Sequence, residues 1–138
     1  MQRKSEVRIH NPSGLSKPTG YSHVAEATGG RTVYIAGQVA MDKDGQLVGA
    51  GDFAAQSKQV FENLSAALAG AGATFGDVVK LNIFCDERIE RNQLPVLREI
   101  RDRYVNVKSP PVSTPVFVKA LARPEWLLEV EATAVVAN

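Results

Sequence analysis

The feature that most restricts the fold is one long helical period set between segments that alternate every second residue. From Asp52 onward, apolar side chains recur at the spacing of a single helix face. The residues on this face are Phe53, Val60, Leu64, Ala67 and Leu68. Asp52 can cap the first turn, and Gly70 and Gly72 can end the last one. The segment therefore predicts an amphipathic helix that must pack against a sheet or a second helix.

Alternating segments on both sides of this helix predict strands. Segments 79–85 and 128–134 alternate apolar and polar residues, as expected for strands whose two faces differ. Segment 7–10 predicts a short edge strand. Runs 22–27 and 32–40 flank Gly29-Gly30, and this pattern predicts a tight hairpin. An extended run follows Pro110-Pro111 as far as residue 121.

A second, more charged helix is predicted between segment 79–85 and Pro110-Pro111. Its apolar stripe consists of Leu94, Leu97, Ile100 and Tyr104. Asn92 can cap it, and Pro95 is tolerated because it lies in the first turn. Arg98, Arg101 and Arg103 are expected to face solvent. The order of elements predicts an α+β fold with both helices on one face of a single sheet, and the other face can be buried by oligomerisation.

Composition limits the classes of function. The chain has 138 residues and a formal net charge of +1, so we expect a single domain, residues 1–138, and no binding of nucleic acid by bulk electrostatics. One cysteine and two histidines make a metal site improbable, and we expect no cofactor. Because no apolar run is long enough to span a membrane, we expect no membrane association and a cytoplasmic location.

Two sets of side chains could carry chemistry. Cys85 closes an apolar strand, which favours a buried structural thiol over a nucleophile. Glu129 and Glu131 share one face of the last strand. They either lie on a solvated sheet face or line an interface cleft, where burial would raise a carboxyl pKa and let the group move a proton or orient water.

Four segments together resemble the RidA family, also called the YjgF or L-PSP family. They are Gly20-Tyr21-Ser22, Ile35-Ala36-Gly37-Gln38, Gly76-Asp77-Val78-Val79-Lys80 and Leu128-Glu129-Val130-Glu131-Ala132. The resemblance covers nearly the whole chain from Gly20 onward. It implies a chorismate-mutase-like homotrimer, with a mixed sheet carrying two helices on one face and with ligand clefts between subunits.

The resemblance also implies an activity and a set of site residues. Active members hydrolyse reactive enamines or imines to 2-oxo acids and ammonia, and an arginine binds the substrate carboxylate. Here Ser113 stands at the arginine position, followed by Thr114 and Pro115. A neutral hydroxyl cannot form that ion pair, which counts against the standard activity unless Arg31, Lys119 or Arg123 replaces the lost cation. Glu129 matches the residue that positions water, Tyr21 the cleft tyrosine, and Ala36 and Gly37 the strand beside the ligand.

Three functions remain open from the sequence. The first is a homotrimeric deaminase-type hydrolase that binds a small metabolite and uses Glu129 to position water. The second is a non-catalytic binding or regulatory protein, in which Ser113 and Thr114 would bind an uncharged ligand. The third is an endoribonuclease or translation inhibitor of the L-PSP type. Near-zero charge without clustered aromatic and basic residues argues against this third function.

Overall fold

The computed structural model describes residues 5–137 and contains a mixed sheet with two helices packed on it. The strands are β1 Glu6–His10, β2 Val24–Thr28, β3 Arg31–Gln38, β4 Val78–Asp86, β5 Val112–Val118 and β6 Leu128–Val136. The helices are α1 Phe53–Gly70 and α2 Leu94–Arg101, and short 3₁₀ turns cover Phe75–Asp77 and Arg91–Gln93.

Four strands form the main sheet in the order β3-β6-β4-β5. Only β4 and β5 pair in parallel, because α2 carries the chain back between them, and the other neighbours are antiparallel. Strands β1 and β2 form a separate two-stranded ladder, and an isolated bridge from Ser22 to Val112 places it beside β5. The predicted α+β fold, a mixed sheet with two helices, is confirmed.

Helix α1 forms as its periodicity predicts. The Asp52 side chain caps it by accepting a hydrogen bond from the Ala55 backbone N–H at 3.0 Å. Its buried face packs on the central strands and includes Phe61, Leu64 and Leu68, each no more than 1% exposed. The helix ends at Gly70, and Gly72 follows it with a positive φ of 72°.

Helix α2 begins differently from its predicted start. Asn92 lies in the preceding 3₁₀ turn, Gln93 occupies the N-cap, and no side chain of this cap bonds the helix. The predicted cap is therefore wrong. Pro95 lies at the first turn, where the missing N–H would have had no helical partner, so the helix begins without a polar cap.

The predicted pairing of β2 with β3 is also wrong. Gly29 and Gly30 do adopt positive φ values of 66° and 74° and turn the chain, but β2 pairs with β1 and β3 pairs with β6. Local alternation shows that a segment is extended, but it does not show which strand pairs with it. Here β1 pairs with β2, and β6 pairs with β3.

Alternation in β4 shifts by one residue at its start. Val78 is buried, where the sequence pattern placed Val79, because the pairing with β6 is irregular between Val78 and Lys80. Beyond that irregularity Leu81, Ile83 and Cys85 face the helices, as predicted.

The sheet face opposite the helices carries apolar as well as polar side chains. Tyr34 is 81% exposed and Val116 is 40% exposed, and both lie on this outer face by their registers. Within residues 5–137 neither helix has the length and apolar character needed to cross a membrane.

Candidate functional site

The Glu129 carboxylate lies against the backbone of Gly37. A methyl group built on Gly37 would lie 2.7 Å from both Cγ and Cδ of Glu129, so only glycine leaves room for this carboxylate. Ala36 and Gly37 fall in an irregularity of the β3–β6 ladder, between the pairs Ile35–Ala132 and Gln38–Val130. Such bulges often re-aim backbone and side chains near functional sites. The structure therefore places two of the predicted site residues, Gly37 and Glu129, close together.

The surroundings of Glu129 make its carboxylate a stronger base than that of an ordinary surface glutamate. The side chain is half-buried, and burial raises the pKa of the Glu129 carboxyl, with a smaller contribution from the negative charge of Glu131. Glu131 accepts a hydrogen bond from Asn82 Nδ2 at 2.8 Å, which fixes it on the same sheet face. The carboxyl group thus suits proton transfer with water better than an ordinary surface glutamate does.

The remaining predicted site residues lie together in a different place. Tyr21, Ser113, Thr114 and Pro115 all line a cavity of about 600 Å³ at the β5 edge of the sheet. Its apolar wall comes from side chains that include Ile83, Leu94 and Leu97. The bridge between Ser22 and Val112 holds Tyr21 beside β5.

Within a single chain the two groups of predicted residues lie apart. Glu129 pairs with Phe84, which pairs with Val116, so β4 separates Glu129 from β5 by about 10 Å across the sheet. Ser113 lies about 10 Å further along β5 and, because it pairs with the core residue Leu81, on the helix face. A small molecule therefore cannot contact Glu129 and Ser113 of the same chain.

Two arginines that the sequence pattern placed in solvent also line the Ser113 cavity. Arg98 and Arg101 project from α2 toward it, and Arg101 is buried, with its side chain only 10% exposed. The prediction that Arg101 faces solvent is therefore wrong. The signal was present, because position 101 follows Leu97 by four residues and precedes Tyr104 by three, which places it on the apolar stripe.

The three cations that could replace the family arginine do not line this cavity within one chain. Arg31 donates a hydrogen bond to the Ala71 carbonyl at 3.0 Å, and the Arg123 guanidinium lies 5.3 Å from the Trp126 ring centroid. Lys119 follows the end of β5 and is exposed. Whether any of them reaches a neighbouring subunit's cleft stays a prediction.

The cysteine has no feature of a nucleophile. Cys85 is buried in the core, and burial raises the pKa of its thiol to about 11, so the reactive thiolate is scarce at neutral pH. In the described part of the chain, no group of three or more His, Cys, Asp or Glu side chains could hold a metal ion.

Comparison with known proteins finds similar sequences over most of the chain. The family model described as Endoribonuclease L-PSP matches residues 14–136. The chain is 30% identical to protein DfrA of Myxococcus xanthus, over 98% of this chain and 99% of that protein. It is also 30% identical to a 2-iminobutanoate/2-iminopropanoate deaminase of Dermatophagoides farinae, over 80% of this chain and 83% of that one.

A solved structure gives the same result for the fold. The crystal structure of YyfB from Yersinia pestis, described as a protein of unknown function of the conserved Rid family, superposes with a TM-score of 0.83. The two chains are 38% identical, and the match covers 94% of this chain and 98% of that one.

Proposed function

The chain belongs to the endoribonuclease L-PSP family, also called the RidA or YjgF family, and from that premise we propose that it hydrolyses a small enamine or imine in a cleft between subunits. The observation that carries the proposal is the half-buried Glu129 carboxylate lying on the side-chain-free backbone of Gly37. The relative from Dermatophagoides farinae, named as a 2-iminobutanoate/2-iminopropanoate deaminase, supports the choice of reaction.

Glu129 acts on water in this proposal. Its carboxylate accepts a proton from a water molecule as the water oxygen bonds to the imine carbon. The proton then passes to the substrate nitrogen, which gives a carbinolamine. The proton of its new hydroxyl group moves to the nitrogen as the carbon–nitrogen bond breaks, and the products are ammonia and a 2-oxo acid. General acid–base assistance of this kind supplies roughly 10²- to 10⁴-fold, which is useful for an imine that already hydrolyses in water.

The arrangement of the two residue groups supports a site shared between subunits. In one chain, Glu129 and Gly37 lie on the outer face of the sheet, whereas Tyr21 and Ser113 line a cavity on the helix side. The outer face also exposes Tyr34, which self-association would cover. We expect the family's homotrimer, and sedimentation velocity would then give three times the 14.9 kDa chain mass.

The decisive assay generates 2-iminobutanoate in place with a threonine dehydratase and measures trapping of the imine by semicarbazide. The folded protein is expected to reduce trapping. Glu129→Gln should lower this activity by about 100-fold or more without changing the oligomeric mass. Glu125→Gln, an exposed glutamate in the turn before β6, is the matched control and should retain full activity.

Two outcomes would contradict the proposal. Full activity of the Glu129→Gln variant would remove the role given to this carboxylate. Absence of any effect of the folded wild-type protein on trapping would exclude deamination of this substrate and favour the non-catalytic binding role, which thermal-shift measurements with small metabolites would then test.

A further inference from the structure

Two guanidinium groups, those of Arg98 and Arg101, converge on Gly20, and both arginines also line the Ser113 cavity. A methyl group built on Gly20 would lie 2.8 Å from Arg101 Nη2 and 2.8 Å from both Cζ and Nε of Arg98, so both groups meet at this one point of backbone. Gly20 has a positive φ of 77°, which glycine adopts most readily. The first loop therefore closes over the two arginines without a side chain of its own between them.

Asp102 is the acidic partner of both arginines, so one positive charge stays uncompensated. Arg101 Nη2 donates to Asp102 Oδ1 at 2.9 Å, while Arg98 Nε lies 3.8 Å from Asp102 Oδ2. Asp102 balances one of the two guanidinium charges. Within residues 5–137 the Arg98 guanidinium donates no hydrogen bond, and the side chain is 47% exposed, so its donors are available to a ligand.

The cavity beside these arginines suits a small anion with a short apolar chain. Its volume is about 600 Å³, its wall includes Leu94 and Leu97, and its other polar side chains include the neutral hydroxyls of Ser113 and Thr114. Guanidinium binds a carboxylate through two parallel hydrogen bonds, and partial burial strengthens this interaction. A surplus of one positive charge matches a monocarboxylate better than a dianion such as phosphate.

We propose that Arg98, held in place with Arg101 by Asp102, binds the carboxylate of a short aliphatic 2-imino or 2-oxo acid in this cavity. The cation then comes from helix α2 and compensates for the neutral Ser113 on β5. This inference rests on the proposed function, because it assigns a ligand group to the same cleft.

The test is titration calorimetry of the full-length protein with 2-oxobutanoate, the hydrolysis product. Arg98→Gln should weaken binding by about tenfold or more, since it removes a charged, bidentate partner. Arg98→Lys should restore part of the affinity, because it keeps the charge but not the fork. Arg103→Gln is the matched control on the same helix. It pairs with Glu99 and does not line the cavity, so binding should not change.

A neutral probe separates charge from shape. The wild-type protein should bind 2-oxobutanoate at least about tenfold more tightly than 2-butanone, and the preference should disappear in Arg98→Gln. Arg101→Gln is examined by circular dichroism first, because its side chain is buried, and the conclusion depends only on Arg98. Equal binding of 2-oxobutanoate by wild type and Arg98→Gln, or no binding by wild type, would overturn the inference.

The two proposals fail in different ways. Arg98-dependent binding of 2-oxobutanoate without imine hydrolysis would support this inference and contradict the deaminase function. Imine hydrolysis that is unchanged in Arg98→Gln would support the function and contradict this inference.

Discussion

Replacement of Gly37 by alanine should displace the Glu129 carboxylate. Real Cβ atoms essentially never approach other atoms within 3.0 Å, yet the new methyl group would lie 2.7 Å from Glu129 Cγ and Cδ and closer still to Oε2. Carbon atoms in good contact lie about 3.5–4.0 Å apart, so the carboxylate must retreat by about 1 Å. Gly37 does not have a positive φ, and the backbone therefore accepts alanine without strain.

A retreat of this size should slow the reaction strongly but lower the stability of the fold only slightly. Misplacement of a catalytic group by about 1 Å can lower a rate by about 100-fold. We therefore expect Gly37→Ala to reduce the imine-hydrolysis rate by about 100-fold. Because Glu129 is only half-buried, we expect the free energy of unfolding in urea to fall by no more than about 1–2 kcal/mol.

A carbon-13 NMR titration gives a second readout that does not depend on turnover. Burial is the main cause of the raised pKa of Glu129, so a carboxylate pushed toward solvent should titrate closer to an ordinary glutamate. Gly70→Ala is the control, because Gly70 ends α1 with open space around its Cα. An unchanged rate together with an unchanged Glu129 pKa in Gly37→Ala would refute the reasoning.

Two further predictions concern the pH profile and the core. Glu131→Gln removes the like charge that helps to raise the Glu129 pKa. The acid limb of the pH–rate profile for imine hydrolysis should therefore move to lower pH. An acid limb that stays in place or moves to higher pH would contradict this coupling. Leu64→Ala removes a fully buried side chain from α1 and should lower the free energy of unfolding in urea by about 2–5 kcal/mol, whereas Leu15→Ala at a half-exposed loop position should change it by no more than about 0.5 kcal/mol.

Periodicity along the chain determined which faces of the elements are apolar. The stripe of α1 predicted the burial of Phe53, Val60, Leu64 and Leu68, which is observed, as is the cap at Asp52. The stripe missed the buried Phe61, and its member Ala67 is only partly buried. Alternation in β6 predicted that Glu129 and Glu131 share a face away from the core. These features depend on residues within a few positions of one another, so the sequence carries them directly.

The positions of the α2 arginines show that residue type alone does not predict burial. The spacing of Arg101 puts it on the apolar stripe, whereas its residue type favours exposure to solvent. Its burial is possible because the adjacent Asp102 accepts two hydrogen bonds from its guanidinium group. The neighbourhood of Gly20, which brings the first loop over Arg98 and Arg101, depends on contacts between residues about 80 positions apart.

The sequence by itself therefore determined the elements, the helix-covered face of the sheet and the shared face of Glu129 and Glu131. Only the tertiary structure decided that β2 pairs with β1, that Ser113 and Glu129 lie on different faces, and that two arginines line the Ser113 cavity. The physical reason is the distance along the chain over which each interaction acts. Helix and strand periods are local, whereas strand partners and cavity walls are set by which distant surfaces bury each other most favourably.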